Sequence, residues 1–382
     1  MIPRIVLAHD WLTGMRGGER VLEEICRLFP DAPIYTLLHE PGTVSETIEG
    51  RPIVTSFLQR FPPAARRRYR RLLPFIPAAV EAMRVPPCDL LLSVSHCAIK
   101  ALRPPPGARH LGYVLTPMRY VWDQREAYFG RGRTDPLTRA LARSGVPALR
   151  LWDAATASRV DRFVAISRAV AGRVARAWGR SAGLLYPPVE LSRFFPTPSP
   201  GPAGYYLMVT AFAPYKRVDI ALEAFRRLGR PLKVAGGGQD EQRLRPLFGG
   251  AVEWLGHRTD AEIAELYRGC RAFVMPGEED FGLTPLEAQA SGRPVIALGR
   301  GGATETVLPL GEAGEPTGVL YGEGADAGVD ALAAAVLRFE ASEALFSPTA
   351  CRRQAERFSP AVFRNGMRSE VERLLAGPPQ AG

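Results

Sequence analysis

The sequence has little of what marks a membrane-spanning, secreted or disulfide-stabilised protein. No apolar run approaches the ~20 residues that a membrane-spanning helix needs, and the apolar stretch near the N-terminus is too short for the core of a signal peptide. The five cysteines include no Cys-x-x-Cys pair, which argues against a zinc site or a disulfide framework. We therefore expect a soluble chain in a reducing, cytoplasmic compartment.

Lysine and dinucleotide-binding motifs are also scarce. Three residues are lysine, Lys100, Lys216 and Lys233, so arginine carries almost all of the positive charge. The fingerprint Gly-x-Gly-x-x-Gly, which binds the pyrophosphate of NAD after a first strand, is missing from residues 9–18 and incomplete at 236–238. A dinucleotide-dependent oxidoreductase is therefore disfavoured, and binding of NAD(P)H would revive it.

The charge that is present is divided unevenly along the chain. Residues 1–200 hold 29 Lys and Arg against 16 Asp and Glu, whereas residues 201–382 hold 20 against 23. With 382 residues, the chain is long enough for two domains of roughly 150–200 residues each. The two halves are expected to face different partners.

Short apolar runs alternate with helical periodicity, which predicts βαβ units, parallel sheets and an α/β fold. The predicted strands are 4–8, 89–94, 110–115, 162–166, 205–210, 232–235, 271–275 and 294–298. Five prolines within 187–200, followed by Pro202, predict a linker, because proline is excluded from helix interiors and central strands. The predicted organisation is an N-terminal domain (1–190), a linker (191–203), a C-terminal domain (204–357) and a final helical segment (358–382) that returns to the first domain.

The segment most suggestive of chemistry follows the predicted strand 271–275. Glu278, Glu279 and Asp280 place three acids in one strand-end loop, the position where open α/β sheets bind ligands. Carboxylates accept hydrogen bonds from sugar hydroxyls, and Gly282 allows a ligand to approach the backbone closely. From spacing alone, a sugar-binding loop and a solvated acidic turn both remain open.

The spacing of Glu279 and Glu287 points further. Thr284-Pro285-Leu286-Glu287 is by itself a helix-capping box, in which Glu287 is a structural cap. However, two glutamates separated by seven residues resemble the signature of the family 4 retaining glycosyltransferases, which have a GT-B fold of two doubly wound Rossmann-like domains facing across a cleft. The resemblance implies that Glu279 contacts donor-sugar hydroxyls and that Glu287 holds the nucleotide ribose, which replaces the capping role. The residues ahead of the helix that are implied to bind the donor are Phe281, Gly282 and Leu283.

The resemblance extends over most of the chain. The chain is similar to a branch of the family that acts in bacterial surface-polysaccharide synthesis, and several members of that branch are mannosyltransferases. The segments that carry the likeness are His9-Asp10-Trp11 with Gly17-Gly18-Glu19-Arg20, Thr116–Asp123, Tyr186–Val189 and Pro214–Asp219.

Lys216 and Arg217 form a basic pair between a predicted strand and a helix. Cations are disfavoured at a helix N-terminus, so the pair suits a diphosphate whose negative charge grows as it leaves. Family members commonly carry an arginine about five residues earlier, where this chain has Ala211. No Asp-x-Asp occurs in the sequence, so we expect neither a metal nor another cofactor, with the nucleotide-sugar as a substrate.

In the first half, Gly17 and Gly18 open a predicted helix, where backbone amides can point at an anion. The resemblance favours them as donor-binding residues and places His96 near the transferred sugar as a catalytic residue. Arg119 and Tyr120 are implied to lie on the acceptor side. Relatives often show a histidine where this chain has Leu115, so acceptor contacts are expected to differ.

The run Arg66–Arg71 is basic and is followed by apolar residues. Such a run can dock on anionic lipid, at about 1 kcal/mol per basic residue, and we expect a peripheral contact with the inner face of the membrane. A solvated helix face is the alternative. Nucleic-acid binding is disfavoured because no aromatic stacking platform or known nucleic-acid module accompanies the run.

Together these features predict a metal-independent retaining hexosyltransferase in surface-polysaccharide synthesis. Its donor is expected to be a nucleotide-sugar, with GDP-mannose as the first choice, and its acceptor a saccharide or lipid-linked saccharide. Two alternatives stay open: a non-catalytic sugar-nucleotide-binding protein on a degenerate GT-B scaffold, which Ala211 would suit, and a sugar-nucleotide epimerase, which needs no acceptor.

Overall fold

The computed structural model describes residues 3–66, 69–119, 121–123, 136–196, 204–248, 250, 252–312, 314–322 and 326–377. The chain divides into two compact units. Unit 1 consists of Met1–Pro187 together with Phe363–Gly382, and unit 2 consists of Pro188–Val362.

Unit 1 is built on a seven-stranded parallel sheet with the order β3-β2-β1-β4-β5-β6-β7. All residues of β1 and β4 are buried, as expected for parallel strands that are covered on both faces. The strands are β1 (Ile5–His9), β2 (Ile34–Thr36), β3 (Ile53–Thr55), β4 (Leu90–Ser95), β5 (Arg109–Val114), β6 (Arg162–Ala165) and β7 (Ala182–Leu184).

The helices of unit 1 follow local signals in the sequence. Gly17–Leu28 buries Val21, Leu22 and Ile25 along one face. Arg168–Trp178 begins after Ser167, whose hydroxyl accepts from the Val170 amide, and ends at Gly179 with φ of +63°. The remaining α-helices are Glu46–Glu49, Pro63–Arg66, Ile76–Ala82, Pro136–Thr156 and the final helix Pro360–Ala376, and the 3₁₀ turns are Phe57–Arg60, Tyr69–Phe75, Ile99–Ala101 and Ala157–Arg159.

An ion pair is buried inside unit 1. Lys100 Nζ lies 3.0 Å from Asp153 Oδ1, and both side chains are fully buried. The other carboxylate oxygen accepts from Nε1 of Trp122 at 2.8 Å and of Trp178 at 2.7 Å. Burial lowers the pKa of Lys100, and the Asp153 carboxylate opposes that shift. The pair is tolerated because further donors satisfy the carboxylate.

Unit 2 contains a six-stranded parallel sheet with the order β10-β9-β8-β11-β12-β13. Its core includes Tyr206, Phe225 and Phe339, whose rings pack edge to face. The strands are β8 (Tyr206–Val209), β9 (Leu232–Ala235), β10 (Val252–Gly256), β11 (Phe273–Met275), β12 (Val295–Leu298) and β13 (Gly318–Tyr321). The α-helices are Val218–Leu228, Glu241–Phe248, Asp260–Gly269, Leu283–Ala290, Ala303–Thr306, Val329–Ala341 and Pro348–Glu356, and the 3₁₀ turns are Pro214–Lys216 and Glu343–Leu345.

The predicted fold class of two doubly wound Rossmann-like domains is confirmed by these sheets. Each of the eight predicted strands is present, within one or two residues at its ends. Of the predicted linker, Phe194 is buried in unit 2, and 197–203 lie outside the described residues. Across the part of the chain that the structure describes, no helix is both long and apolar enough to cross a membrane.

Candidate functional site

Two loops at the carboxyl ends of neighbouring strands bring Lys216 and Glu279 together in unit 2. Lys216 follows β8, Glu279 follows β11, and these strands are paired in the sheet. Lys216 Nζ donates to Glu279 Oε1. Their side chains are 16% and 17% exposed, so the pair is screened from bulk water but still reachable. A fixed cation and a fixed carboxylate at a strand-end loop form a compact polar site.

Two glycines let neighbouring loops pack closely against the loops of Lys216 and Glu279. A Cβ at Gly277 would lie 2.6 Å from the Tyr215 carbonyl oxygen and 2.7 Å from Lys216 Cα, so any side chain there would push the loops apart. On the other side, the Gly302 amide donates to the Glu279 carbonyl at 2.9 Å. Neither Gly277 nor Gly302 was singled out from the sequence, because nothing local shows which loop lies beside a glycine.

Arg217 has an unusual backbone. Its φ is +50°, which makes it the one non-glycine residue with positive φ among those described. This left-handed conformation costs about 1–2 kcal/mol for a residue with a Cβ. It ends the turn Pro214–Lys216 and starts the helix Val218–Leu228, and it leaves the guanidinium half exposed, with Nε 3.5 Å from Asp219 Oδ1. Strain of this kind collects at functional sites.

The predicted capping box at Thr284 is wrong. The helix begins at Leu283, one residue before Thr284, because Gly282 adopts φ of +88° and serves as the N-cap. Glu287 is therefore the fifth helical residue and lies too far into the helix to cap it. Phe281 is buried, and its ring packs 5.6 Å from that of Phe358, so the backbone is what this residue can offer a ligand.

Glu287 has a partner that the sequence did not suggest. The hydroxyl of Tyr267 donates to Glu287 Oε2 at 3.1 Å. Tyr267 is fully buried, and burial raises its pKa well above the ordinary value, so the hydroxyl stays protonated. Phe194 packs edge to face on the Tyr267 ring at 5.6 Å. Tyr267 thus holds one oxygen of Glu287 and leaves the carboxylate oriented.

In unit 1, Asp10 organises the loop that carries His96. Asp10 follows β1 and is completely buried. Its Oδ2 accepts from the backbone amides of His96 at 2.6 Å and Cys97 at 2.9 Å, and from Ser95 Oγ at 3.3 Å. Its Oδ1 accepts from the amides of Ala98 and Ile99 at 2.7 and 2.8 Å. One carboxylate therefore fixes the loop after β4.

The ring of His96 is held by two further contacts. Its Nδ1 lies 3.4 Å from Asp10 Oδ2, and its ring stands edge-on to Trp11 at 4.6 Å. Burial lowers the pKa of His96, and the Asp10 charge opposes this only in part. The imidazole is therefore neutral at pH 7 and can exchange hydrogen bonds with a hydroxyl.

A second histidine lies beside His96. His9 Nδ1 is 3.1 Å from the Val94 carbonyl, and its Nε2 is 3.6 Å from Glu19 Oε1. Burial alone would raise the pKa of Glu19, but the hydrogen bond and charge of His9 lower it overall. Glu19 also accepts from the Arg16 amide at 3.1 Å, so a carboxylate of the protein already lies at the start of the helix Gly17–Leu28.

The glycine pair packs against this cluster. A Cβ at Gly18 would lie 2.9 Å from Leu115 Cδ1 and 3.3 Å from His9 Cε1, so Leu115 fills space beside Gly18. Gly17 is the first residue of the same helix. Arg119 lies partly exposed in the turn after β5, and Tyr120 lies outside the described residues.

In the predicted membrane contact, Arg66–Arg71, residues 67 and 68 lie outside the described residues, and the backbone of 69–71 begins the 3₁₀ turn Tyr69–Phe75. Arg66 itself pairs with Glu40 at 3.4 Å. Within the described ranges, no three His, Cys, Asp or Glu side chains form a group that could hold a metal ion.

The residues described above form two clusters of polar side chains, one in each unit. Lys216, Glu279, Arg217 and Glu287 lie on the loops and helix after β8 and β11, where the cations can neutralise a diphosphate and the acids can bind hydroxyls. Residues 192–358 match the family of glycosyl transferases group 1. This group 1 segment contains every one of those four residues, together with Tyr267.

Curated relatives of the chain carry glycosyltransferase names. A GDP-mannose-dependent alpha-mannosyltransferase of Mycolicibacterium smegmatis is 33% identical over 168 residues, which are 41% of this chain and 44% of that protein. An uncharacterized glycosyltransferase of Methanocaldococcus jannaschii is 27% identical over 153 residues, 39% of this chain and 43% of that one. O-antigen chain mannosyltransferase C of Escherichia coli is 32% identical over 110 residues, 27% of this chain and 30% of its own. The chain spans less than half the length of these curated relatives.

Solved structures resemble the whole chain. A sucrose-phosphate synthase of Thermosynechococcus elongatus aligns with a TM-score of 0.71 at 18% identity and covers 98% of this chain and 99% of its own. Anabaena HepE, solved in complex with UDP and glucose, aligns with a TM-score of 0.68 at 16% identity and covers 97% of this chain and 100% of its own. At such identities these likenesses concern the fold, and they agree with the GT-B architecture.

Proposed function

We propose that this protein is a retaining hexosyltransferase that uses a nucleotide-sugar donor. The contact between Lys216 Nζ and the Glu279 carboxylate carries the proposal. A cation for the diphosphate and a carboxylate for the sugar hydroxyls must lie within one sugar diphosphate of each other, and the two loops of unit 2 meet that requirement. The match of residues 192–358 to the group 1 family supports it.

The proposed chemistry follows from these charges. As the bond between C1 of the sugar and the phosphate oxygen breaks, negative charge grows on the diphosphate, and Lys216 and Arg217 stabilise it. The acceptor hydroxyl oxygen forms the new bond to C1 on the same face, and its proton passes to the leaving phosphate. Glu279 orients the sugar, and Glu287, held by Tyr267, accepts from the ribose hydroxyls. Because Lys216 and Glu279 pair with each other, this ion pair must break when the donor binds, so that Lys216 can bind the diphosphate and Glu279 the sugar.

We propose mannose from GDP-mannose as the group transferred, because two of the named relatives are mannosyltransferases. The acceptor is a saccharide or lipid-linked saccharide of surface-polysaccharide synthesis, reached from the cytoplasm. The basic run Arg66–Arg71 contacts the anionic inner face of the membrane. His96, Gly17 and Gly18 serve the sugar and phosphates from unit 1, with Arg119 and Tyr120 toward the acceptor, and no metal takes part.

Transfer assays with matched ion-pair variants test the proposal. Lys216→Ala and Glu279→Gln should each lower turnover by about 10²–10³-fold, the usual effect of removing one group that stabilises a transition state. Lys233 and Glu253, whose ion pair of 3.1 Å lies on β9 and β10 of the same unit, supply the controls Lys233→Ala and Glu253→Gln, which should keep near-normal turnover. Equal losses in both pairs would contradict the site.

The donor and the reaction type need separate measurements. Thermal shifts with GDP, UDP and ADP identify the base, since a ligand at 100-fold its dissociation constant adds about 2.7 kcal/mol of stability. NMR of the first product reports whether the anomeric configuration is retained, and turnover in EDTA tests independence from metal. Nucleotide binding without turnover of any sugar would favour the non-catalytic alternative, for which Ala211 is the supporting residue, and turnover without an acceptor would favour an epimerase.

A further inference from the structure

Unit 1 contains an arginine-lined pocket that the proposed reaction does not use. Its volume is about 270 Å³. Arg109 is the first residue of β5, Arg162 is the first residue of β6, and Ser181 directly precedes β7. Because the strands are parallel, all three lie at the amino edge of the sheet. The final helix closes the pocket with Arg373, Leu374 and Gly377 at its end.

This pocket is remote from the cluster of polar side chains around His9 and His96 in unit 1. His9 ends β1 and His96 follows β4, so both lie at the carboxyl edge. Strand β5 has six residues, and at about 3.3 Å per residue it separates the two edges by roughly 20 Å. A ligand in the pocket is therefore a different molecule, or a different part of one, from a group that reacts near His96.

Positive charge is in excess around the pocket. Glu370 accepts from Arg162 Nε and, at 2.7 Å, from Arg373 Nη1, so one carboxylate serves two guanidinium groups. Asp161 Oδ1 lies 3.7 Å from Arg109 Nη1. The lining arginines are Arg109, Arg162, Arg180 and Arg373. Among the described residues, these four guanidinium groups outnumber the two carboxylates, and the negative end of the final helix offsets part of the excess.

The guanidinium groups are held in place by the backbone. Arg109 Nη2 donates to the Gly377 carbonyl at 2.8 Å, where it also offsets the negative end of the final helix. Arg180 donates to the carbonyls of Ala157 and Val160 at 2.9 and 2.8 Å. These bonds explain a structural role for the arginines. They also fix the directions of the remaining N–H groups, which lowers the entropy lost when an anion binds.

We propose that this pocket binds a phosphate group and thereby joins the final helix to the amino edge of the sheet. A phosphate monoester or pyrophosphate carries about two or more negative charges, which complement the positive excess, and its oxygens fit the planar donors of arginine. The phosphate is either free in solution or the headgroup of a lipid.

Hydrogen exchange on the full-length protein tests this proposal and reports the location directly. The probes are inorganic phosphate, pyrophosphate, and phosphatidylcholine vesicles with and without phosphatidic acid, all at constant ionic strength. We expect saturable protection of amides in the segments 181–184 and 370–377. Arg373→Ala should raise the half-saturating concentration by about 10-fold or more, the effect of losing a charge-assisted hydrogen bond.

Two controls make the result specific. Arg373 is 58% exposed, so its loss should not unfold the helix, and Arg368→Ala removes an exposed arginine of the same helix that does not line the pocket. Repeating the titration in Lys216→Ala separates this pocket from the proposed diphosphate site of unit 2. Protection by the soluble anions supports a free phosphate, and protection by phosphatidic acid vesicles alone supports a lipid headgroup. No protection by any probe, or the same shift for Arg373→Ala and Arg368→Ala, would overturn the proposal.

Discussion

Replacing Asp10 by asparagine is a severe test of how unit 1 holds His96. The two carboxylate oxygens accept four backbone amides and one hydroxyl. An asparagine keeps one accepting oxygen, and its NH₂ group cannot accept. If the NH₂ replaces Oδ1, the amides of Ala98 and Ile99 lose their acceptor, and if it replaces Oδ2, those of His96 and Cys97 do.

In either orientation at least two buried amides are left without their acceptor. Each costs about 1–3 kcal/mol, so Asp10→Asn should destabilise unit 1 by about 2–6 kcal/mol, a large part of the 5–15 kcal/mol typical of a whole domain. For a domain of this size, each kcal/mol lowers the melting temperature by roughly 2–4 °C. The expected fall is therefore at least about 4 °C.

Tryptophan fluorescence during urea unfolding is a suitable assay. Trp11, Trp122, Trp152 and Trp178 lie in unit 1, and Trp254 lies in unit 2, so the signal follows mainly the unit that is perturbed. Asp31→Asn, at an exposed position of the same unit, is the control and should change stability by less than about 0.5 kcal/mol. A loss below about 1 kcal/mol for Asp10→Asn would refute the reasoning that the carboxylate organises the loop.

Three further predictions follow from buried polar groups. Tyr267→Phe should raise KM for the nucleotide donor about 5- to 10-fold with little change in kcat, because it removes the hydroxyl that orients Glu287; an unchanged KM in steady-state kinetics would contradict this. Burial lowers the pKa of His110 to about 3, so the unfolded chain binds a proton at this histidine more readily than the folded chain does. The free energy of unfolding should therefore be about 2 kcal/mol lower at pH 5 than above pH ~6.5. In urea unfolding, His110→Asn should lack this part of the decrease. Lys100→Met should cost about 3–5 kcal/mol, because it leaves Asp153 as an uncompensated buried charge, and a melting temperature near that of the wild type would argue against a buried ion pair.

The apolar runs in the sequence predicted eight of the thirteen strands that the structure describes. Five strands were missed: β2, β3 and β7 with three residues each, β13 with four and β10 with five. Ala182-Gly183-Leu184 has no β-branched residue, so nothing local favours a strand there, and pairing with β6 decides its conformation. Short elements depend on neighbours that are distant in sequence, and periodicity does not record those neighbours.

The candidate site was predictable in its charges and not in its geometry. Lys216 and Glu279 stand out in the sequence because one belongs to a scarce residue type and the other to an acidic run. Their contact depends on Gly277, which admits the neighbouring loop, and on pairing of β8 with β11, neither of which local spacing reveals. The start of the helix at Leu283 was misjudged for a similar reason. A proline and a glutamate in the right places mimic a cap, while the conformation of Gly282 decides where the helix begins.

The division of the chain has a consequence for the order in which the protein matures. Unit 2 is one continuous stretch, Pro188–Val362, whereas unit 1 needs Phe363 and the residues after it. Phe363 is buried and stacks edge to face on Tyr113 of β5, and Glu370 pairs with Arg162 of β6. Domains generally fold as units and in order of synthesis. Here the unit that begins first is completed last, so in a nascent chain Tyr113 and Arg162 of the N-terminal sheet would lack these contacts until the final helix is made.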